Sequence, residues 1–321
     1  MTIRRRTRDA AARPWVARED LKLAAELPLL AAIALTLPEA RWRAACRRLE
    51  EAKARLGWFD PGPVARTAAR VLGDAGATFD GPAFALDSAA GRSEHHVQIL
   101  RELGPRGWKP RLALEGSAHV DDALAAGRGA VLWVAHFCFN ALATKKALAG
   151  AGYRAWHVSR PEHGFSKSRA GIATVNRLRV RAELRHLAGR ILIDRAKPMA
   201  ATLAAQRVLR RNGIVSITAG AWEGQRVAIV SLLGGTLELA VGAPGLARLA
   251  GARLLPVFTV RERDGALRVV VEPPIAVARD GDADAALDLA AQAFATRLDD
   301  YVRRYPAQWR DWKSLKRYSQ A

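Results

Sequence analysis

The chain has 321 residues; half are hydrophobic and 26% are charged, with 51 lysines and arginines against 31 acidic residues. This composition excludes disordered, collagen-like and disulfide-scaffold proteins. The net charge of +20 predicts an anionic partner: nucleic acid, an anionic membrane or an acidic carrier protein. Cys46 and Cys138 stand 92 positions apart, which predicts neither a disulfide framework nor a zinc site and favours a reducing compartment.

Residues 1–60, which begin with a basic arm, are predicted to be entirely helical. Their longest apolar stretch, 27–37, has 11 residues. As a helix it would rise about 16 Å against about 30 Å of hydrocarbon, so it is too short to cross a membrane. A secretory signal is a rival interpretation, but no small-x-small cleavage site follows. Two compatible interpretations stay open: a basic, half-apolar element lying on the inner leaflet, or a helix that packs its apolar side on the domain.

Further along, helices are predicted at 41–58 and after Pro63, and from about residue 128 strands alternate with helices. The apolar strands and the intervening helices predict an α/β fold with a central, mainly parallel sheet flanked by helices. We expect two regions, a basic helical membrane-proximal extension over 1–60 and an α/β domain over 61–321. The predicted strands are 130–135, 154–159, 191–194, 214–218, 227–233, 254–260 and 267–272, and the helices are 139–152, 198–213, 243–252 and 282–304.

One histidine is placed for chemistry. His136 directly follows the strand 130–135, and ligands of α/β sheets bind at the carboxyl ends of strands. A histidine there can act as a general base near neutral pH, but the position alone is more typical of a structural histidine. Cys138 is two positions from His136, which suggests a Cys–His nucleophilic pair, but a cysteine at such a position is more typically a buried packing residue.

Five strings then occur in a fixed order: GRGAVLWVAHF, SRP, LRRNGIVSIT, LLGG…GAPGLARLAGARLLPVF and VRRYPAQWRDW. Over residues 110–313 the chain resembles the late acyltransferases of lipid A biosynthesis, the lauroyl/myristoyl branch of the lysophospholipid acyltransferase superfamily. The resemblance implies a glycerolipid acyltransferase-like fold at the cytoplasmic face of the bacterial inner membrane. It implies transfer of an acyl chain from an acyl carrier protein or coenzyme A thioester to a lipid or glycolipid hydroxyl, with no cofactor beyond that co-substrate.

The family's catalytic motif is a histidine with an acid five residues later, and here that acid is replaced by Ala141. Losing the group that orients a catalytic histidine costs about 10⁴-fold in serine hydrolases. Glu223, beside the positions where relatives carry acids, is the first candidate for a relocated acid, and Glu162 is the second. Both are also explained as solvated loop residues. Asn140 could accept a hydrogen bond from the imidazole.

Other positions are candidates for substrate binding. Arg160 falls on the family's arginine–proline pair, where a guanidinium can hold a phosphate or an oxyanion. Residues 160–211, which include Arg169 and Arg177, carry 13 basic and 3 acidic residues, and such a surface suits anionic headgroups or an acyl carrier protein. The resemblance also gives substrate binding to a predicted glycine-rich turn that contains Gly234, Gly235 and Gly245.

The rest of the chain offers weaker signals. His157 and His163 have no familiar metal spacing, so no metal site is expected. The tail interleaves aromatic and basic residues, which suits a membrane interface or single-stranded nucleic acid, and the resemblance favours the membrane. No nucleic-acid module is recognisable, so nucleic acid is not an expected partner. Because of Ala141, a degenerate relative that binds lipid or acyl carrier without turnover remains the alternative to an enzyme.

Overall fold

Two sheets organise the protein in the computed structural model, which describes residues 3–5, 13–72, 79–194, 196–220 and 226–317. The strands are β1 (Arg4–Arg5), β2 (Leu112–Glu115), β3 (Ala130–Val134), β4 (Ala155–Ser159), β5 (Gly189–Leu192), β6 (Ile214–Thr218), β7 (Arg226–Leu232), β8 (Gly235–Ala240), β9 (Arg253–Arg261), β10 (Leu267–Val271) and β11 (Lys316–Arg317). The helices are α1 (Arg18–Thr36), α2 (Trp42–Arg55), α3 (Gly62–Leu72), α4 (Gly81–Leu103), α5 (Ser117–Ala125), α6 (Asn140–Gly150), α7 (Arg169–Ala173), α8 (Val175–Leu184), α9 (Pro198–Arg210), α10 (Gly242–Ala250) and α11 (Ala283–Arg304).

The larger sheet has seven strands in the order β2-β10-β9-β3-β6-β4-β5. All neighbours in it are parallel except β9 and β10. All five residues of β3 are buried, because helices cover both faces of the sheet at its centre. On one face Trp133 stacks on Phe294 of α11 at 4.2 Å between ring centroids, and Phe258 stacks on Tyr301 at 3.9 Å. The predicted α/β fold with a mainly parallel sheet is confirmed.

The smaller sheet is antiparallel, in the order β1-β7-β8-β11, and packs on α11. Leu233 and Gly234 close the β7–β8 hairpin with φ angles of 51° and 67°, a turn that favours glycine. The single glycine-rich turn predicted here is therefore wrong. Gly234 turns the hairpin, Gly235 begins β8, and Gly245 lies inside α10, because TLELA alternates as a strand between the glycines.

The N-terminal region differs from the sequence-based prediction in two ways: it contains a short strand and one additional helix. Arg4 and Arg5 pair with β7 as a strand, so the expectation that residues 1–60 are entirely helical is wrong there. The 23-residue helix α4, absent from the sequence-based prediction, packs against α1, α2, α3 and α8. Its pattern was obscured because small residues are buried on several of its sides. Gly91 is an example: a Cβ there would lie 3.2 Å from the Cys138 sulfur.

In the part of the chain that is described, no helix combines the length and the apolar character needed to cross a bilayer. Helix α1 buries Leu30 and Ala34 and packs on α2 and α4. The strand–helix alternation starts at β2 and not near residue 128. The division of the chain at residue 60 stays a prediction.

Candidate active site

The site begins at His136, two residues beyond the end of β3. The backbone N–H of Ala135 donates to the carbonyl of Val257 in β9 at 2.8 Å, which extends the sheet up to the histidine. The His136 Nδ1 atom lies 2.8 Å from Oδ1 of Asp311. The side chains are 18% and 11% exposed, so the pair is largely shielded while the imidazole keeps some access to solvent.

Asp311 reaches the histidine because the C-terminal tail is docked along residues 136–138. Phe137 and Trp309 form an antiparallel bridge. The N–H of Cys138 donates to the carbonyl of Gln308 at 2.8 Å, and the N–H of Arg310 donates to the carbonyl of His136 at 3.1 Å. These main-chain bonds on both sides of the histidine place the next residue of the tail, Asp311, beside the imidazole.

Two tryptophans anchor this tail inside the protein. Trp309 and Trp312 are each 1% exposed and meet edge to face, with 5.0 Å between ring centroids. The indole N–H of Trp312 donates to the carbonyl of Pro306 at 3.0 Å. The expectation that the aromatic tail faces a membrane is therefore wrong for these two residues, because the buried indoles hold the segment that carries Asp311.

The electrostatic setting suits a base. Burial lowers the pKa of His136, and the cations of Arg310 and Arg179 lower it further, while Asp311 opposes the shift. The imidazole is therefore neutral at pH 7. With Nδ1 donating its proton to the Asp311 carboxylate, Nε2 is left as the acceptor, which is the arrangement required of a general base.

Neither of the two acids predicted to replace the missing carboxylate is seen bonded to His136 in the described part of the chain. Glu162 forms an ion pair with Arg13 near the start of the chain, and its backbone carbonyl accepts from Asn176. Glu223 lies outside the described residues. Asn140, at the first position of α6, is buried, as is Ala141. The carboxylate bonded to His136 is that of Asp311, which no local spacing indicated; the one signal was an acid inside the VRRYPAQWRDW string.

The predicted arginines lie in the segment after β4. The carbonyl of Arg160 accepts from the His163 N–H at 3.1 Å and from Arg190 at 3.3 Å. Arg169 begins α7, with its guanidinium 5.5 Å from the centre of the Trp15 ring. Arg177 lines a cavity of about 290 Å³ on α8. The roles of these arginines, and of Gly234, Gly235 and Gly245, in substrate binding stay predictions.

Cys138 is packed in the interior and not presented as a nucleophile. It is fully buried, and burial raises the pKa of its thiol, which leaves the sulfur protonated. A protonated thiol in the core is a poor nucleophile.

A buried glutamate organises the other charges near the site. Glu183 is 0% exposed and accepts from Lys145 and Arg179 at 2.8 Å and from His163 at 2.9 Å. Although burial raises the pKa of Glu183, these partners hold it well below its usual value. The ligand atoms of His157, His163 and Glu183 lie within 4.8 Å of one another. Because two cations already bind the carboxylate, the cluster works as an ion-pair centre that fixes Arg179, whose charge acts on His136.

A histidine–carboxylate pair at the carboxyl end of a central strand in an α/β protein is the arrangement that enzymes of group transfer use to move protons. The model of the bacterial lipid A biosynthesis acyltransferases matches residues 92–314. The chain belongs to that family, and the resemblance found in its sequence is confirmed. A search of curated proteins found no match to this chain.

Proposed function

We propose that this protein transfers a fatty acyl chain from an acyl carrier protein or coenzyme A thioester to a hydroxyl of a lipid or glycolipid. The family is one of acyltransferases, which supports acyl transfer to a lipid. The observation that carries the proposal is the bond between His136 and Asp311. Asp311 supplies the carboxylate that Ala141 cannot. The missing acid was the reason for expecting a degenerate, binding-only relative, so this bond favours an enzyme.

In the proposed reaction His136 Nε2 takes the proton of the acceptor hydroxyl as its oxygen attacks the thioester carbonyl. Asp311 holds the ring orientation and stabilises the imidazolium that forms. When the tetrahedral intermediate collapses, the carbon–sulfur bond breaks and the proton passes to the departing thiolate. The products are the acylated lipid and a free thiol. Arg160 is the proposed partner of the oxyanion or of an acceptor phosphate.

We propose peripheral attachment to the cytoplasmic face of the inner membrane, through the exposed side of α1. That side is apolar along nearly the whole helix, whereas the opposite side packs on α4. Trp15 and Val16, just before the helix, are 71% and 57% exposed. Both interpretations of this segment are thus compatible in one helix. The exposed residues of α1 that form this apolar face are Leu21, Ala24, Ala25, Pro28, Leu29, Ala32 and Leu35.

Basic residues border this apolar face. The N–H groups of Arg169 and Ala170 donate to the carbonyls of Pro14 and Trp15 at 3.0 Å, which joins the start of α7 to the segment before α1. An apolar face bordered by cations fits an anionic bilayer surface, and the same cations suit an acidic acyl carrier protein. The exposed cations at this junction are Arg18, Lys167 and Arg169, and α8, which follows α7, adds the exposed Arg177 and Arg181.

The test is acyl transfer by purified protein with radiolabelled acyl carrier protein and acyl-coenzyme A, each presented with a total bacterial lipid extract. We expect a labelled lipid from the wild type and none from a folded His136→Ala variant. The mass of the product names the acceptor, and the active donor is identified by comparing the two thioesters. Binding of lipid or carrier without any product from folded wild-type protein would instead establish the binding-only relative.

A further inference from the structure

A cleft beside the catalytic pair has cationic walls. It has a volume of about 220 Å³ and lies between α1, α2, α4 and the C-terminal tail. Arg310, the residue before Asp311, forms part of its wall, so the cleft adjoins the residues that position His136. The lining residues are Lys22, Glu26, Glu50, Lys53, Trp58, Phe59, Ala89, Arg92, Ser93, His96 and Arg310.

The acidic residues of the cleft are already neutralised in large part. Lys53 donates to Glu26 at 3.0 Å and to Glu50 at 2.8 Å, and Ser93 donates to Glu50 as well. Lys22 donates to the backbone carbonyl of Trp58 at 3.0 Å. The four cations outnumber the two carboxylates of the lining, so its formal charge is +2.

Two arginines of the wall have no bonded carboxylate among the described residues. Within the described ranges, Arg92 donates only to the hydroxyl of Ser88, at 3.2 Å, and the Arg310 guanidinium makes no ion pair or hydrogen bond. Arg310 is partly buried; burial and the neighbouring cations Arg179 and Arg92 lower its pKa. Burying the Arg310 guanidinium near the charge of Arg92, with no carboxylate bonded to either among the described residues, is unfavourable, and an anion bound to both would offset that cost.

His96 also lines the cleft, and one of its ring nitrogens makes no hydrogen bond among the described residues. That nitrogen, Nδ1, is buried. Burial and the charge of Arg310 lower the pKa of His96 to about 3, so the ring is neutral and offers one N–H donor. Arg92, His96 and Arg310 together present several donors and little acceptor capacity. Tetrahedral oxyanions with several acceptor oxygens are the ligands that such a set binds.

We propose that this cleft binds a phosphate group of one of the two substrates, held by Arg92, His96 and Arg310. The proposal rests on the proposed acyl transfer, because it places the phosphate beside the group that accepts the hydroxyl proton. The phosphate belongs either to the headgroup of the lipid acceptor or to the phosphopantetheine arm of the donor. Trp58, 41% exposed, lines the cleft beside α1, which brings this site close to the apolar face.

The test measures binding, which requires no turnover. Full-length protein is titrated calorimetrically with inorganic phosphate, with coenzyme A, and with short-chain lysophosphatidic acid beside the monoacylglycerol of the same chain length. We expect Arg310→Gln and Arg92→Gln each to weaken the phosphate-bearing ligand by about tenfold, because each loses a charge-assisted contact. Arg106→Gln, which removes the same charge at an exposed site, is the matched control.

Comparison of the titrated ligands distinguishes a phosphate of the lipid acceptor from a phosphate of the acyl donor. Arginine-dependent preference for lysophosphatidic acid over the monoacylglycerol places the acceptor in the cleft, and arginine-dependent binding of coenzyme A alone places the donor there. Arg92→Lys, which keeps the charge, should retain more affinity than Arg92→Gln. Equal affinities of wild type and both glutamine variants, or no binding of any phosphate compound, would overturn the site. Arginine-dependent binding by a protein that transfers no acyl chain would contradict the proposed function but not the phosphate site.

Discussion

The side chain of Gln308 pairs with the backbone of Arg261 at the end of β9. The Arg261 N–H donates to Gln308 Oε1 and Gln308 Nε2 donates to the Arg261 carbonyl, both at 2.8 Å. The Gln308 carbonyl in turn accepts from Cys138. One glutamine thus ties the tail both to the central sheet and to the segment of the catalytic histidine, three positions before Asp311.

Gln308→Ala should therefore reduce acyl transfer by more than its effect on stability explains. Removing both bonds is expected to lower the free energy of unfolding by about 1–3 kcal/mol and to loosen Asp311 from His136. Gln292→Ala is the control, because Gln292 makes the same pair of bonds to the Ser231 backbone on β7. Denaturant melts and rates are measured together; an equal loss of activity in both variants would contradict the positioning role.

Asp311→Asn should leave the fold intact and lower the rate by about 10²- to 10⁴-fold, because the amide cannot stabilise the imidazolium. Asp311→Glu keeps the charge and should retain more activity. The measurement is kcat with a saturating thioester, with circular dichroism as the check on folding. A wild-type rate in Asp311→Asn would show that the 2.8 Å bond to His136 has no part in proton transfer.

The pH profile should report the lowered pKa of His136. The base must be neutral, so the rate falls as pH falls through its pKa, and that acidic limb should lie below pH 6.5. Asp311 raises the pKa of His136, so Asp311→Asn should move the limb to lower pH as well as lower the plateau. A limb above pH 6.5 in the wild type would contradict the environment described for the histidine.

Glu183→Gln should destabilise the protein by about 3–5 kcal/mol, because Lys145 and Arg179 lose a fully buried counter-ion. Glu115→Gln, which removes an exposed partner of Arg268, should change stability by less than about 1 kcal/mol. The folded-state pKa of Glu183 is depressed, so its contribution is present above about pH 4.5 and is lost as pH falls further. The gap between wild type and Glu183→Gln in denaturant melts should therefore narrow in acid.

Leu29→Glu should weaken binding to anionic vesicles, because it introduces a charge into the apolar face of α1, where Leu29 is 53% exposed. Leu289→Glu on α11, where the side chain is 72% exposed, is the matched control. Vesicle co-sedimentation compares the two variants. Equal binding by both would remove α1 from the proposed membrane contact.

The local sequence pattern was sufficient to predict many of the strands and helices. The apolar run of β3, the proline and basic residues that bound α9, and the Asp282 cap before α11 are properties of short segments, and each predicted element formed close to its expected place. The position of His136 at the end of a strand was predictable for the same reason. By contrast, α4 lacked a clear period because it is buried on several sides, and β8 was missed because its short alternating segment lies between glycines that predicted a turn.

The acid of the site could not be found in this way. Asp311 stands 175 positions after His136, and an acid that far away has no spacing that links it to the histidine. The pairing of Asp311 with His136 is determined by the bonds of Gln308 to the end of β9, by main-chain bonds along residues 136–138 and by two buried tryptophans. All of these contacts exist only once the sheet has formed. The hydrophobic periodicity of a segment indicates which of its sides is buried. Which segments pack against each other is decided by the tertiary structure of the whole chain.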